Sequence, residues 1–155
     1  MTDNLLDELD TRLLSALQRD AQLTAEGLGI LLNLSPSQAG RRRQRLEKLG
    51  LIEAYVARVD PGALGLQVQA FVQVQMATHN PELVADFIRL VETEPRIVAA
   101  FTLTGDADYL LRVFCRDLVQ LNDLLHNRIL PQSAVARVQS QIVMDQLKSG
   151  APLPV

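Results

Sequence analysis

The apolar residues of this chain change their period near residue 60, and that switch limits the possible folds more than any other feature. Before it, Leu6, Leu9, Leu13 and Leu17 are separated by three, four and four positions, which places them in one stripe along a helix. After it, Val68, Ala70, Val72, Val74 and Met76 alternate with Gln67, Gln69, Phe71, Gln73 and Gln75, as in a strand with one apolar face. Helices first and strands later make an α+β chain, and 155 residues allow two small domains. With 48% apolar and 21% charged residues the composition is that of a folded protein, and excludes broad disorder.

A second helix is expected from Thr24, a good N-cap, through Leu28, Leu31 and Leu32, although Gly27 and Gly29 each cost it about 1 kcal/mol of helix propensity. The third helix is the best marked. Ser35 and Gln38 have capping-box spacing, Pro36 takes the first helical position, Leu34 and Ala39 occupy the hydrophobic-staple positions, and Gly50 supplies the stop. The helix should run from about Pro36 to Leu49, and the short link Asn33-Leu34-Ser35 makes a helix-turn-helix over about residues 24–49.

A net charge of -3 and a pI near 5.3 count against nucleic acid when taken over the whole chain. The distribution says otherwise. Between Pro36 and Gly50 stand five basic residues and one acidic one, Glu47, so this segment carries +4 and the remainder -7. On a helical wheel Ser37, Gln38, Arg41, Arg45 and Lys48 share one stripe, with Ala39 and Leu46 opposite. Candidate contacts to double-stranded DNA are therefore Ser35, Ser37, Gln38, Arg41, Arg42, Arg45 and Lys48. Ser37, Gln38 and Arg41 lie near the N-terminus where base edges are reached, and Arg42, Arg45 and Lys48 are placed for phosphates. A solvated basic face on a helical bundle accounts for the charge alone equally well; the capped helix-turn-helix spacing favours DNA.

Ile52 to Val59 reads as an extended linker strand closed by Asp60-Pro61-Gly62. Beyond it, Asn80-Pro81 opens a helix (Leu83, Phe87, Ile88, Val91) that must stop at Pro95. Ile97–Thr104 and Ala107–Cys115 form a hairpin turning at Gly105-Asp106, Asp117 caps a helix through Leu121, Leu124, Leu125 and Ile129, and Val135–Leu147 alternates again. The expected fold class is thus α+β, an N-terminal winged helix-turn-helix domain plus a C-terminal ferredoxin-like βαββαβ domain. The expected organisation is 1–52 for DNA binding, 53–66 as a linker strand, 67–148 as the βαββαβ domain, and 149–155 as a mobile tail.

The single cysteine, Cys115, cannot form an internal bridge and is expected as a buried structural thiol. Met1-Thr2-Asp3-Asn4 lacks the features of a secretory signal, and no apolar run is long enough to span a membrane, so a cytoplasmic protein is expected. His79 and His126 lack ligand-like spacing to other metal-binding residues, and glycine-rich nucleotide loops are absent, so neither a metal nor a cofactor is expected.

Leu6-Asp7-Glu8-Leu9-Asp10, Leu34-Ser35-Pro36, Arg45-Leu46-Glu47 with Gly50-Leu51-Ile52, and Thr104-Gly105-Asp106-Ala107-Asp108-Tyr109-Leu110-Leu111 resemble, in order and spacing, the landmarks of the Lrp/AsnC (feast/famine) transcriptional regulators. The resemblance covers nearly the whole chain. It implies a sequence-specific DNA-binding regulator, and a C-terminal domain that binds an amino acid or related effector and assembles dimers into higher oligomers, often octamers. Carried over by position, it implies an effector site between subunits at Leu103, Thr104, Gly105, Asp106 and Asp108 with Gln141 and Ile142. Exposed amides at a glycine turn suit a carboxylate and an aspartate suits an ammonium group, although Gly105-Asp106 is equally good hairpin chemistry.

Two residues depart from the family pattern: Arg43 where Ile or Val is usual, and Gly40 where a larger residue is common. Arg43 either snorkels along its stem or joins the phosphate contacts. The polar face of the strand from Gln67 to Met76, four Gln around Phe71, suits a sheet-to-sheet contact in a homodimer. No enzyme activity is expected. The alternatives are an enzyme resembling the siroheme decarboxylases, which share both halves of this scaffold but use a histidine-containing site that Ile52–Ala57 lacks, and an effector-binding assembly protein without DNA binding, suggested by Arg43 and Gly40.

Overall fold

The structure is a computed structural model that describes residues 6–155, so the reading made on Met1–Asn4 lies outside the described residues. Residues 6–58 together with 147–155 form one compact unit, and residues 59–146 form another.

In the first unit three helices follow in order: α1 (Glu8–Arg19), α2 (Ala25–Leu32) and α3 (Pro36–Lys48). Asp7 and Asp10 form a capping box at the start of α1, Thr24 caps α2, and Ser35 with Gln38 form the expected box on α3. Leu13, Leu14, Leu17, Leu28, Leu32, Ala39 and Leu46 are the shared core. Gly29 has a steric reason beyond propensity: a Cβ there would lie 2.7 Å from the Leu34 carbonyl oxygen, across the turn that Leu34 N–H closes onto Gly29 at 2.9 Å. Gly40 differs, since a Cβ there would meet only the Ala25 methyl, at an ordinary 3.6 Å.

The expected linker strand at 53–66 is not formed within the chain. Residues 53–60 pair with no other strand and a short 3-10 turn occupies Gly62–Leu64; an extended backbone becomes a strand only beside a hydrogen-bonding neighbour. The C-terminal residues, expected as a mobile tail, are instead held. Leu153 N–H donates to Gln18 Oε1 at 2.6 Å, Gln18 Nε2 donates to the Leu153 carbonyl at 3.2 Å, and Arg58 donates to the carbonyls of Ser149 and Gly150. Backbone groups in a proline-rich segment still take partners where two long polar side chains reach them.

The second unit is β1 (Val68–Met76), α4 (Pro81–Thr93), β2 (Ile97–Thr102), β3 (Tyr109–Cys115), α5 (Leu118–Asp123) and β4 (Val135–Ile142). The sheet has the order β2-β3-β1-β4 with every ladder antiparallel, which is the ferredoxin-like arrangement. The inward set on β1 is the one the alternation predicts, Ala70, Val72 and Val74, packed with Phe87, Leu90, Leu111, Val113, Cys115, Leu121, Leu124 and Ile129. Burial pushes the Cys115 thiol up, so it stays protonated and inert. After α5 the chain continues as one wide π turn, Leu124–Ile129, which keeps both Leu124 and Ile129 buried. The hairpin strands end two residues short of the expected turn on the β2 side and start two later on the β3 side, and β4 ends at Ile142 rather than Leu147.

One ion cluster closes this core. Glu94, only 5% exposed, takes a bidentate contact from Arg96 at 2.7 and 2.9 Å, and Arg96 also reaches Asp123 at 2.9 Å. The Arg96 guanidinium holds the Glu94 carboxyl below the usual carboxylate range. This contribution to stability is present above the unfolded glutamate value of about 4.3 and is lost as pH falls through the lower folded value.

Two measurements check these assignments. Arg96→Met leaves the buried Glu94 with only the long Arg128 contact at 3.9 Å and should lower unfolding free energy by about 3–5 kcal/mol in urea titrations at pH 7, the loss shrinking as pH falls through the Glu94 titration. In thermal unfolding, Gly40→Ala should stabilise by about 1 kcal/mol. Gly29→Ala should destabilise by about 1–3 kcal/mol because backbone, not a flexible side chain, stands in the way.

Candidate nucleic-acid interface and effector loop

The geometry of α3 begins at its cap. Gln38 N–H donates to Ser35 Oγ at 3.2 Å, and Ser35 N–H donates to Gln38 Oε1 at 3.0 Å. Ala39 and Leu46 point inward with no exposure, which turns Ser37, Gln38, Arg41, Arg45 and Lys48 outward as one exposed stripe. The cap has a consequence for recognition. A bidentate contact to adenine needs the amide oxygen and nitrogen of a glutamine together, and the Gln38 oxygen is engaged in the cap.

Electrostatics divide the cations. Arg42 Nη1 lies 2.7 Å from Asp7 Oδ2 and 2.7 Å from Asp10 Oδ1, and Arg45 Nη1 lies 2.7 Å from Asp10 Oδ2. Asp10 is 1% exposed, so its charge is held inside the domain by two arginines of α3 and by the Asp7 N–H. The Asp10 backbone N–H and the Arg42 guanidinium hold the Asp7 carboxyl below its usual range. Asp7, Asp10, Leu34, Gln38, Arg41, Arg42 and Arg45 together line an open depression beside the cap. Arg41 donates only weakly to the Ser37 carbonyl at 3.4 Å, and among the described residues neither Arg41 nor Lys48 meets a carboxylate in a salt bridge. Arg43 stands apart from the exposed stripe, because its guanidinium is turned to Leu23, Glu47 and Tyr55.

Sequence reasoning missed Asp7 and Asp10 as partners of these arginines. A carboxylate recurring three residues later at a helix start was the available signal, since such a pair can cap its own helix and still present oxygens to a neighbour.

In the second unit the Gly105 turn is closed by Leu103 N–H donating to the Asp108 carbonyl at 2.9 Å, with Gly105 at φ 109°. Asp108 is engaged in the fold: its Oδ2 accepts from Met76 N–H at 2.7 Å, and its own N–H donates to Val74 at 3.0 Å. Gln141 and Ile142 lie across from Phe71 and Ala70. The two groups of expected effector residues therefore stand at opposite ends of β1, five residues apart or about 16 Å, and one chain does not bring them together. Beside the turn, Asp106 and Ala107 share a depression of about 150 Å³ on the open face of the sheet with Gln73, Gln75, Arg137 and Gln139. Arg137 and Gln139 escaped notice because nothing in the linear pattern distinguishes them from other outward positions of β4.

Comparison with known proteins agrees with both halves. Residues 6–47 match the AsnC-type helix-turn-helix domain and residues 69–153 match the Lrp/AsnC ligand binding domain. The chain is 30% identical to the transcriptional regulator AldR of Mycolicibacterium smegmatis, over 96% of this chain and 86% of that protein. It is also 30% identical to the DNA-binding transcriptional activator DecR of Escherichia coli K12, over 97% and 99%. A transcriptional regulator of Neisseria meningitidis, solved as a complex with L-Met, superposes with a TM-score of 0.92 at 32% identity, covering 96% of each chain. An AsnC family regulator of Agrobacterium tumefaciens gives 0.87 at 33% identity, over 96% and 97%. Among the described residues no helix is long and apolar enough to cross a membrane. With its capped basic recognition helix, its antiparallel ligand-domain sheet and these matches across almost its full length, the chain belongs to the Lrp/AsnC family of transcriptional regulators.

Proposed function

We propose that α3 enters the major groove of double-stranded DNA, with Ser37 and Arg41 reading bases and Lys48, Arg42 and Arg45 on phosphates. The observation that carries this reading is the exposed stripe on a doubly capped helix, in which Arg41 and Lys48 meet no carboxylate among the described residues while Arg42 and Arg45 are held in fixed directions by Asp10. Ser35 and Gln38 act chiefly by completing the helix terminus, whose exposed N–H groups favour a phosphate. A chromosomal target places the protein in the cytoplasm.

The sensing half takes an amino acid as its effector, a reading supported by the Neisseria meningitidis regulator, which was solved as a complex with L-Met. Asp106 and Arg137 at the rim of one depression offer opposite charges to an ammonium and a carboxylate group. Because Leu103–Asp108 and Gln141–Ile142 are separated along β1, a site using both sets requires two chains. The open sheet face, with Phe71, Phe101, Leu110 and Arg112 between glutamines, is the surface through which a homodimer forms, and dimers then assemble further. The siroheme-decarboxylase-like alternative lacks a histidine near the linker, and the reading without DNA binding loses its support, since Gly40 and Arg43 both sit in an intact α3.

Fluorescence anisotropy against DNA recovered from genomic fragments tests the DNA half. Lys48→Ala should weaken binding to all sequences and reduce the slope of log affinity against log salt by about 0.9, the value for one phosphate contact, whereas Arg41→Ala should weaken binding and relax sequence discrimination with the slope near wild type. A reduced slope with discrimination kept would move Arg41 to the phosphates, and an unchanged affinity would remove it from the interface. Sedimentation at micromolar concentration should show a dimer or larger species; a monomer would overturn the two-chain effector site.

A further inference from the structure

The two carboxylate oxygens of Asp7 have different partners. Oδ1 accepts the Asp10 N–H at 2.8 Å and caps α1, while Oδ2 accepts from Arg42 Nη1 at 2.7 Å. The same Arg42 nitrogen donates to Asp10 Oδ1, also at 2.7 Å, so it is shared between two carboxylates of the α1 start. These partners differ in exposure: the Asp10 side chain is 1% exposed and the Asp7 side chain 51%. The inner contact is shielded from solvent and salt, and the outer one is open to both.

The outer contact also occupies a place suited to nucleic acid. Asp7 lines the same open depression as Arg41, Arg42 and Arg45, beside the α3 cap. An oxygen 2.7 Å from a guanidinium nitrogen has the separation of a charge-assisted bond to phosphate, so Asp7 fills one phosphate position on Arg42. The Asp10 N–H and Arg42 hold the Asp7 carboxyl below its usual range, which keeps it ionised at neutral pH. Glu8, one residue on, is exposed and meets no cation in a salt bridge among the described residues.

We propose that Asp7 is a specificity-determining residue: its carboxylate competes with DNA phosphate for Arg42, and gives way only when base contacts hold α3 in the groove. This inference rests on the DNA reading proposed above. DNA of unselected sequence is held by phosphates alone, and there the Asp7–Arg42 pair persists, so Arg42 displaces no counterion from the duplex. On a preferred sequence Ser37 and Arg41 fix the register, and a phosphate oxygen replaces Asp7 Oδ2 while Asp10 keeps its own hydrogen bond to Arg42. The pair thus lowers affinity for unselected DNA and widens the discrimination against it.

The test uses the full-length chain. Wild-type protein first selects its preferred sequence from a random-sequence pool, and anisotropy then gives affinity for selected and unselected duplexes over a series of salt concentrations. In wild type the slope of log affinity against log salt should be steeper on selected DNA by about 0.9, one further phosphate contact. Asp7→Asn keeps a capping oxygen and loses the charge. It should bring the slope on unselected DNA up to that on selected DNA, raise affinity for unselected DNA about tenfold at low salt, and narrow the discrimination. Glu8→Gln, with the same change in net charge, should leave both slopes near wild type. Slopes unchanged by Asp7→Asn overturn the proposal. An equal rise in affinity with Glu8→Gln also overturns it, by assigning the effect to net charge. So does a fall in affinity in step with the thermal midpoint, which would leave Asp7 as a cap of α1 and nothing more. Lys48→Ala separates the two readings: if it lowers the slope while Asp7→Asn does not change it, the competition alone fails, and if wild-type binding shows no salt dependence at all, the DNA reading fails with it.

Discussion

The DNA-binding half depends on one buried carboxylate. Asp10 sits inside a domain whose apolar core is small, and an uncompensated charge there would cost several kcal/mol. Arg42 and Arg45 remove that cost, and because both belong to α3 while Asp10 belongs to α1, the compensation also fixes the rotation of the recognition helix about its own axis. The exposed Asp86–Arg89 pair on α4 is a useful contrast, since screened surface pairs contribute about 0–1 kcal/mol and orient little. The same interaction revises the electrostatics of binding. The +4 of residues 36–50, which already sets Glu47 against one cation, is an upper bound on what DNA senses, because Asp7 and Asp10 of the α1 start face two more.

The second half is organised by a one-sided sheet. Helices cover the face carrying Val72, Val74, Leu111 and Val113, and the other face holds Phe71, Phe101 and Arg112 among glutamines. A surface of this mixture is too polar to require burial and too apolar to be indifferent to it, which describes an interface between folded subunits better than a core. The Glu94–Arg96 cluster lies at the opposite side, between the end of α4 and α5, so the helices are pinned to each other on the side away from the open face.

What was legible in the sequence was whatever local chemistry decides. Ser35-Pro36-Ser37-Gln38 specifies a helix start because its side chains satisfy their own neighbours' N–H groups, and the alternation from Val68 to Met76 specifies a strand face because a period of two admits one solution. Illegible were features that require a partner distant in the chain. Asp10 is an ordinary N3 acid until α3 packs beside it. The 53–66 segment has strand composition, but its pairing depends on a neighbour that composition does not supply. Residues 149–155 look mobile until Gln18 and Arg58 reach their carbonyls. The effector residues were expected between subunits, and the antiparallel register, which sets Gly105 and Gln141 at opposite ends of β1, means that any grouping of the two needs a second chain.

Arg43 draws these points together. A guanidinium at an inward helix position reads as a fault if the helix is considered alone, because a long cation displaces an aliphatic contact. With Leu23, Glu47 and Tyr55 present, every strong donor direction the structure assigns to it is met, and the residue joins three segments that no backbone ladder connects. The C-terminal residues bind on Arg58, so the linker is gripped by side chains from the recognition helix at one point and by returning backbone at another. These contacts join α3, the α1–α2 link, residues 53–58 and the C-terminal residues inside the first unit, and each can be altered without touching the apolar core of that unit.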